Sequence, residues 1–216
     1  MALFVLRIWL EDRPGALGAV ASRIGAVKGD LVGIEILERG GGRAIDELLV
    51  ELPFPELVSL MIREISEVDG VDVEDVREAS DDLRDVRISA LEAVALLVDQ
   101  TDPNELLSEL VATAVFDYES DWAAVVRTSD GEMLIATGEV PISSWLSAFV
   151  EGVLLSNIGS ETTGPDDVAW GPLARSGLAM IIGRAKRPYR AIEREQLILT
   201  TRIADARYIE LVSPSR

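Results

Sequence analysis

The residues with the clearest potential for ligand chemistry lie between the first predicted strand and the first predicted helix. Residues 3–10 alternate in polarity as a strand does, and they lead into Asp12, Arg13, Pro14, Gly15, Ala16 and Leu17. A helix that begins here leaves its first N–H groups without intrahelical acceptors, so they can bind a negatively charged group. Asp12, just before Pro14, is well placed to cap this helix.

Two residue types are missing, and their absence excludes most familiar catalytic and metal sites. The chain has no histidine and no cysteine. It therefore lacks the usual zinc, copper and iron–sulfur ligands, a cysteine nucleophile and a serine–histidine–aspartate triad. Its adjacent acid pairs at 11–12 and 166–167 are poorly placed to face each other across a substrate. We expect no catalytic residue, no metal site and no cofactor, and hence a protein that is not an enzyme.

Charge and hydropathy limit the partners and the location. The net charge is −18, from 38 acidic and 20 basic residues, so we expect neither nucleic acid nor a membrane as a partner. The sequence has no uninterrupted apolar run of the roughly 18 residues that a membrane span needs. The first residues lack the features of a signal peptide, and we predict a cytoplasmic protein.

The first 78 residues predict the order β-α-β-β-α-β. The strands are predicted at 3–10, 31–39, 43–52 and 71–77, with a hairpin at the three glycines 40–42. The first helix carries an apolar stripe and is expected to end with Gly29 in the position that follows a helix. This order indicates a split βαβ sheet with both helices on one face, and Val32, Ile34 and Ile36 are expected on that face.

Residues 86–211 predict a second mixed region after a polar linker. The first helix, 86–99, is expected to bury Ile88, Leu91, Ala95 and Val98, and a second helix is expected to begin at a cap on Asp102. The remaining elements are a hairpin within 122–137, a helix over 144–155, a loop at 157–167, strands at 168–173 and 178–184, and a helix over 188–211. This last helix is expected to bury Ile192, Leu199, Ile203 and Ala206.

Two further clusters in this region have a structural and a functional interpretation. Arg184, Lys186, Arg187, Arg190 and Arg194 could bind phosphate or an acidic partner, or they could offset nearby carboxylates. Three tryptophans, Trp122, Trp145 and Trp170, could line a pocket or belong to the core.

The motif D-x-P-G-x-L at 12–17 resembles that of the ACT domain, a regulatory module that binds amino acids in many metabolic enzymes. The similarity covers 3–78, and the segment GDLVGIEI at 29–36 occupies the second strand. The resemblance implies a ferredoxin-like domain that dimerises edge to edge or face to face. It also implies a ligand held between the first turn of one copy and the second strand of another, whose wall is formed by Asp30, Leu31, Val32 and Gly33. In such a site Asp12 would either cap the helix or meet a ligand ammonium, and Arg13 would meet a ligand carboxylate.

Residues 86–211 resemble a GAF domain, most clearly at 177–209, where a strand is followed by an Arg-x-x-x-Pro-aromatic turn and a Glu-x-x-x-Leu helix. The first and last helices of such domains often form a dimer bundle. The resulting prediction is an α+β protein: an ACT-like ferredoxin-like βαββαβ domain at 1–78, a linker at 79–85 and a GAF-like domain with a central antiparallel sheet at 86–216.

The sequence is thus typical of a non-catalytic regulatory sensor that binds an amino acid or a similar small metabolite at an ACT dimer interface. A homodimer is expected, and signalling would need a separate effector protein. The alternative is a ligand-free scaffold that assembles with itself or with another protein. A small enzyme that uses carboxylates and arginines is a third possibility.

Overall fold

The computed structural model describes residues 1–79, 86–155, 165–185 and 187–213. Residues 80–85 of the predicted linker at 79–85, residues 157–164 of the predicted loop at 157–167, and Lys186 lie outside these ranges. The chain divides into two compact units, Met1–Leu83 and Arg84–Arg216. Each unit contains one four-stranded antiparallel sheet, which confirms the predicted α+β class.

The first unit has the predicted element order. Its elements are β1 (Ala2–Glu11), α1 (Ala16–Ala26), β2 (Asp30–Gly40), β3 (Arg43–Leu52), a 3-10 turn (Pro55–Leu57), α2 (Val58–Ser66) and β4 (Asp72–Glu78). The strand order is β2-β3-β1-β4, as in a ferredoxin-like fold, so β2 and β4 are the edges. Leu6, Ile8 and Leu48 on the sheet and Val20 and Ile24 on α1 form the centre of the core.

Glycine fixes the β2–β3 hairpin, as the sequence predicts. Gly41 and Gly42 both have positive φ, 58° and 78°, which a two-residue turn between twisted strands requires. The end of α1 differs from the prediction. Lys28, not Gly29, adopts the left-handed conformation, with φ 63°. Gly29 is needed for space instead, because a Cβ there would lie 2.9 Å from Ile24 Cγ2 and 3.0 Å from Leu52 Cδ2.

The edge strand β2 is only partly covered. Ile34 and Ile36 pair with Leu48 and Asp46 of β3 and so lie on the helix-bearing face, as predicted. Their side chains nevertheless remain 50% and 40% exposed. Val32 is the additional residue of a bulge and is also half-exposed. An edge strand of this kind presents both unpaired backbone groups and apolar side chains.

The second unit has helices on both faces of its sheet. Its elements are α3 (Val86–Asp99), α4 (Pro103–Asp117), β5 (Trp122–Arg127), β6 (Met133–Gly138), α5 (Ser143–Leu155), β7 (Val168–Leu173), β8 (Leu178–Gly183) and α6 (Ala191–Val212). The strand order is β6-β5-β8-β7. Side chains of α3, α4 and α6 pack on one face of the sheet, and side chains of α5 pack on the other.

The predicted buried stripes of α3 and α6 are wrong. On α3, Leu91 is 67% exposed and Ile88 and Val98 are about half exposed, whereas Leu97 is fully buried. On α6 the buried residues are Leu197, Thr201, Ala204 and Asp205, in place of Ile192, Leu199, Ile203 and Ala206. Both helices carry apolar residues on more than one side, so periodicity did not identify the side that faces the sheet.

Within the described ranges, no helix is both long and apolar enough to cross a lipid bilayer.

Candidate functional site

The turn between β1 and α1 presents an open helix start. Gly15 is the N-cap, with φ 89° and ψ −13°, a left-handed conformation that favours glycine. Its carbonyl accepts from Ala19 N at 3.0 Å, and Ala16 N donates to Arg13 O at 3.3 Å. Among the described residues, no side chain caps this helix. Gly18, in the first turn, is exposed, and a Cβ at this position would meet no atom within 4 Å outside its own helix. The start of α1 can therefore receive a ligand group.

Asp12 does not cap α1, which corrects one of its two predicted roles. It lies three residues before the N-cap, and its backbone N–H is held by Gly42 O at 2.9 Å. The start of α4 shows what a cap looks like in this protein: Asp102 accepts from Asn104 N at 2.7 Å and Glu105 N at 3.1 Å, as predicted. Asp12 thus keeps only its other predicted role, contact with a ligand ammonium.

Arg13 forms an ion pair with Glu11, and both side chains are about half exposed. A ligand carboxylate would compete with Glu11 for this guanidinium group. Of the other predicted residues in the turn, Pro14 is exposed. Ala16, the first residue of α1, is buried in the core, and Leu17 is half-buried against it. Pro14, Ala16 and Leu17 therefore shape the turn, while the open surface belongs to its backbone.

Asp30, Leu31, Val32 and Gly33 lie at the other end of α1 within one chain. They begin β2 directly after α1 ends, whereas the first turn of α1 adjoins the ends of β1 and the β2–β3 hairpin. The structure of a single chain therefore does not bring the two halves of the predicted site together. A second copy whose β2 ran antiparallel alongside β2 would bring them together.

Asp46, a buried carboxyl group on β3, was not among the residues predicted from the sequence. Its Cα pairs with those of Ile8 on β1 and Ile36 on β2, so it lies on the helix-bearing face. The residue is 3% exposed, and its Oδ1 has no hydrogen-bond partner in the described part of the chain. Burial raises the pKa of Asp46, the charge of Arg39 lowers it, and the charge of Asp12 raises it further. The sequence offered one signal for Asp46: it is an acid at a position where the alternation of β3 otherwise places apolar residues, namely Ala44, Leu48 and Val50.

The described arginines of the predicted basic patch are occupied by structural contacts, which favours the structural interpretation. Buried Arg184 donates to Tyr118 O at 2.6 Å and to both carboxylate oxygens of Glu193, at 2.7 and 2.9 Å. Arg194 donates to backbone carbonyls at the start of β7, and Arg187 pairs with Glu119. These contacts fix the β8–α6 turn.

The tryptophans belong to the core on the α5 side of the second sheet. Trp122 is buried and meets Trp145 edge to face, with 6.3 Å between ring centroids, and Trp145 stacks on Phe149 at 5.3 Å. Gly183 makes room for Trp122, since a Cβ there would lie 2.3 Å from the indole ring. Trp170 packs at the margin of the same cluster.

A wide, open groove of about 820 Å³ lies in the second unit between α4 and β6. Its lining includes Asn104, Glu105, Glu109, Arg127 and Tyr208. The charge of Arg127 is already balanced by Asp130 and Glu132. Neither this groove nor any other part of the described ranges holds a cluster of three or more acidic side chains suited to a metal ion.

No protein-family model and no curated protein matches this sequence. Among solved structures, the ACT domain of a GTP pyrophosphokinase from Chlorobium tepidum is 18% identical, with a TM-score of 0.30; the match covers 36% of this chain and 97% of that domain. A formyltetrahydrofolate deformylase from Pseudomonas putida KT2440 is 12% identical, with a TM-score of 0.30, over 45% of this chain and 39% of that protein. An unknown protein from Galdieria sulphuraria is 13% identical, with a TM-score of 0.33, over 72% of this chain and 90% of that protein.

Proposed function

We propose that this protein is a non-catalytic regulatory sensor whose first unit binds an amino acid or a similar small metabolite between two copies of the chain. One observation carries the proposal: the uncapped start of α1 lies on the same sheet face as the half-exposed side chains of an edge strand, Ile34 and Ile36. Open N–H groups suit an anionic ligand group, and exposed apolar side chains suit a second protein surface.

The second copy would supply the missing wall. In an antiparallel pairing of β2 with β2 of the partner subunit, the first residues of one strand lie opposite the last residues of the other. Asp30, Leu31, Val32 and Gly33 of the partner subunit would then stand beside the end of β2 that adjoins the α1 start. Ligand binding would thereby favour one dimer arrangement, and this preference is what transmits a signal.

The second unit, which we interpret as a GAF-like module, would carry a further input or the contact with an effector protein. Its outward apolar side chains on α3, such as Ile88, Leu91 and Val98, favour contact with another protein. The same observation supports the alternative function, a scaffold that assembles without any small ligand. The two functions differ in whether a metabolite stabilises the protein.

A thermal-shift screen of the twenty amino acids and common nucleotides tests the sensor. A ligand at 100 times its dissociation constant should stabilise the folded protein by about 2.7 kcal/mol and raise the Tm clearly. The diagnostic variant is Gly18→Glu, which places a carboxylate in the first turn of α1. It should fold at least as well as the wild type, because glutamate is a better helix former and suits the N-terminal end of the helix dipole, yet it should repel the ligand.

Gly25→Glu is the matched control, because Gly25 is also exposed, lies on the same helix near its other end and has open space around it. This variant should respond to the ligand as the wild type does. Equal loss of response in both variants would argue against a site at the start of α1. A wild-type protein that is dimeric and responds to none of the compounds would favour the scaffold.

A further inference from the structure

The Asp46 carboxyl group is buried in the first unit without a direct hydrogen-bond or ion-pair partner among the described residues. The residue is only 3% exposed, its Oδ1 is inaccessible, and the side chain forms no hydrogen bond or ion pair with any described residue. An ionised carboxylate in such surroundings is unfavourable unless a cation or hydrogen-bond donors meet it. Nothing in β3 requires an acid at this position, since its neighbours on the same face, Ala44 and Leu48, are apolar.

Other buried charged groups in the chain have partners of their own. Arg7 donates to Glu47 at 2.9 Å across β1 and β3, and Arg77 donates to the second oxygen of the same carboxylate at 3.2 Å. Asp205 accepts from two backbone N–H groups, at 2.8 and 3.0 Å. Since the chain supplies partners for these groups, the lack of one at Asp46 among the described residues points to a group from a ligand.

The charged groups near Asp46 connect it to the proposed site. Asp46 lies three residues from Arg43, which pairs with Glu11 at the end of β1 where the turn to α1 begins. The charges of Asp12, in that turn, and of Arg39, near the end of β2, act on the pKa of Asp46. The side chains of Asp12 and Arg39 form no hydrogen bond or ion pair within the described ranges. The neighbourhood therefore combines an uncapped helix start, an unpaired cation and two unpaired anions, one of them buried.

We propose that Asp46 recognises the positively charged group of the ligand, which makes the ligand class a zwitterion with an ammonium group. This assignment rests on the proposed function and refines it. The ammonium, with three N–H donors, would meet Asp46 with assistance from Asp12, while the carboxylate would meet the first-turn N–H groups of α1 and Arg39. Nucleotides and 2-oxo acids bring negative charge without a cation, so Asp46 would disfavour them.

The test uses the full chain with amino acids and the 2-oxo acid that corresponds to each, such as alanine with pyruvate and leucine with 4-methyl-2-oxopentanoate. Thermal shift identifies responding pairs, and calorimetry measures their Kd for the wild type and for Asp46→Asn. We expect the wild type to bind amino acids at least tenfold more tightly than their 2-oxo acids. Asp46→Asn should lose at least tenfold in affinity for the amino acid and should no longer distinguish the two classes.

The Tm of the unliganded Asp46→Asn variant shows whether a loss of binding comes from misfolding. Asp46→Asn removes an unpartnered buried charge, so its Tm should equal or exceed that of the wild type. Asp99→Asn, which removes an exposed carboxylate in the other unit, should bind as the wild type does. A lower Tm together with lost dimerisation in Asp46→Asn would assign the carboxylate to a cation of the partner subunit and overturn the proposal.

Failure of this inference and failure of the sensor give different results. If the wild type binds amino acids and 2-oxo acids equally well, and Asp46→Asn binds them unchanged, the sensor stands and the role of Asp46 is wrong. If the wild type binds neither class, both proposals fall together. A dependence on pH adds a separate readout: amino-acid affinity should weaken as the pH falls toward the ordinary range of carboxyl pKa values in the wild type, and it should change less in Asp46→Asn.

Discussion

Arg184 illustrates how this chain accommodates a charge away from water. Its guanidinium lies 4.0 Å from the centroid of the Tyr189 ring, and it donates to both oxygens of Glu193 and to three backbone carbonyls. Glu193 in turn accepts from Arg190 N at the start of α6, at 2.7 Å. Burial lowers the pKa of Arg184, yet the bidentate carboxylate keeps the charged form satisfied. The buried carboxyl group of Asp46, in contrast, has no hydrogen-bond or ion-pair partner among the described residues.

A second residue-scale feature is the left-handed Lys28 at the end of α1. Lys28 N donates to Gly25 O at 2.9 Å and Gly29 N donates to Ile24 O at 3.0 Å, the paired bonds of a Schellman motif. A lysine in this conformation places its Cβ too close to the following carbonyl oxygen. Lys28→Gly should therefore raise the free energy of unfolding by roughly 0.5–1 kcal/mol, after allowance for the greater entropy of glycine in the unfolded chain.

Chemical denaturation of the full chain measures this gain. Lys28→Ala is the control, because it removes the same charge and keeps a Cβ in the left-handed conformation; it should give no comparable stabilisation. If the alanine variant gained as much as the glycine variant, the effect would come from the lysine side chain and not from the backbone.

The sequence allowed the residues of the turn to be predicted better than their roles. The motif at 12–17 predicted a strand, a turn and an open helix start, because proline and glycine restrict the backbone in recognisable ways. Which side chains remained unpaired could not be predicted, since the pairing of Arg13 with Glu11 and the isolation of Asp46 depend on how distant segments pack. A lone acid in a strand is also common at the surface, and only burial distinguishes Asp46.

At the scale of elements, boundaries were predicted more accurately than faces. The bounds of α3, β3 and β7 agree with the sequence-based prediction to the residue, because turn signals delimit them. The buried side of α3 was wrong because the helix carries two apolar stripes, one with Ala93 and Leu97 and the other with Ile88 and Leu91. Which of them meets the sheet depends on packing with α4 and α6, information that no local pattern contains.

Leu91 and Leu97 provide a matched test of the orientation of α3. Both are leucines on one helix; Leu97 is fully buried and Leu91 is 67% exposed. Leu97→Ala should cost roughly 2–5 kcal/mol of unfolding free energy, because it opens a cavity in the core. Leu91→Ala should change the same quantity by less than about 0.5 kcal/mol in the monomer. Denaturation at low protein concentration makes the comparison, and a larger loss for Leu91→Ala would mean that the predicted stripe faces the core after all.

At the scale of the whole molecule, an excess of negative charge couples stability to solution conditions. With a net charge of −18 and no histidine, the chain repels itself at neutral pH, and salt screens part of this repulsion. Acidification also weakens the repulsion between surface carboxylates, and it protonates Asp46 as well. Since burial raises the pKa of Asp46, the folded chain takes up this proton at a higher pH than the unfolded chain does.

The sign of the Asp46 contribution follows from that difference in proton uptake. A carboxyl group whose pKa is raised by folding stabilises the folded state fully below its unfolded pKa, and this contribution is lost as the pH rises through the folded pKa. Denaturation of the unliganded protein at a series of pH values should therefore show this contribution declining from about pH 4, near the ordinary pKa of aspartate, toward neutral pH. Repeating the measurement in 0.5 M NaCl suppresses surface repulsion, so the dependence that survives reports on the buried group. Asp46→Asn should abolish that surviving part and raise stability at pH 7.5, whereas Asp99→Asn should preserve it. An Asp46→Asn variant with the full wild-type dependence in high salt would show that the carboxyl group is already balanced within the folded protein.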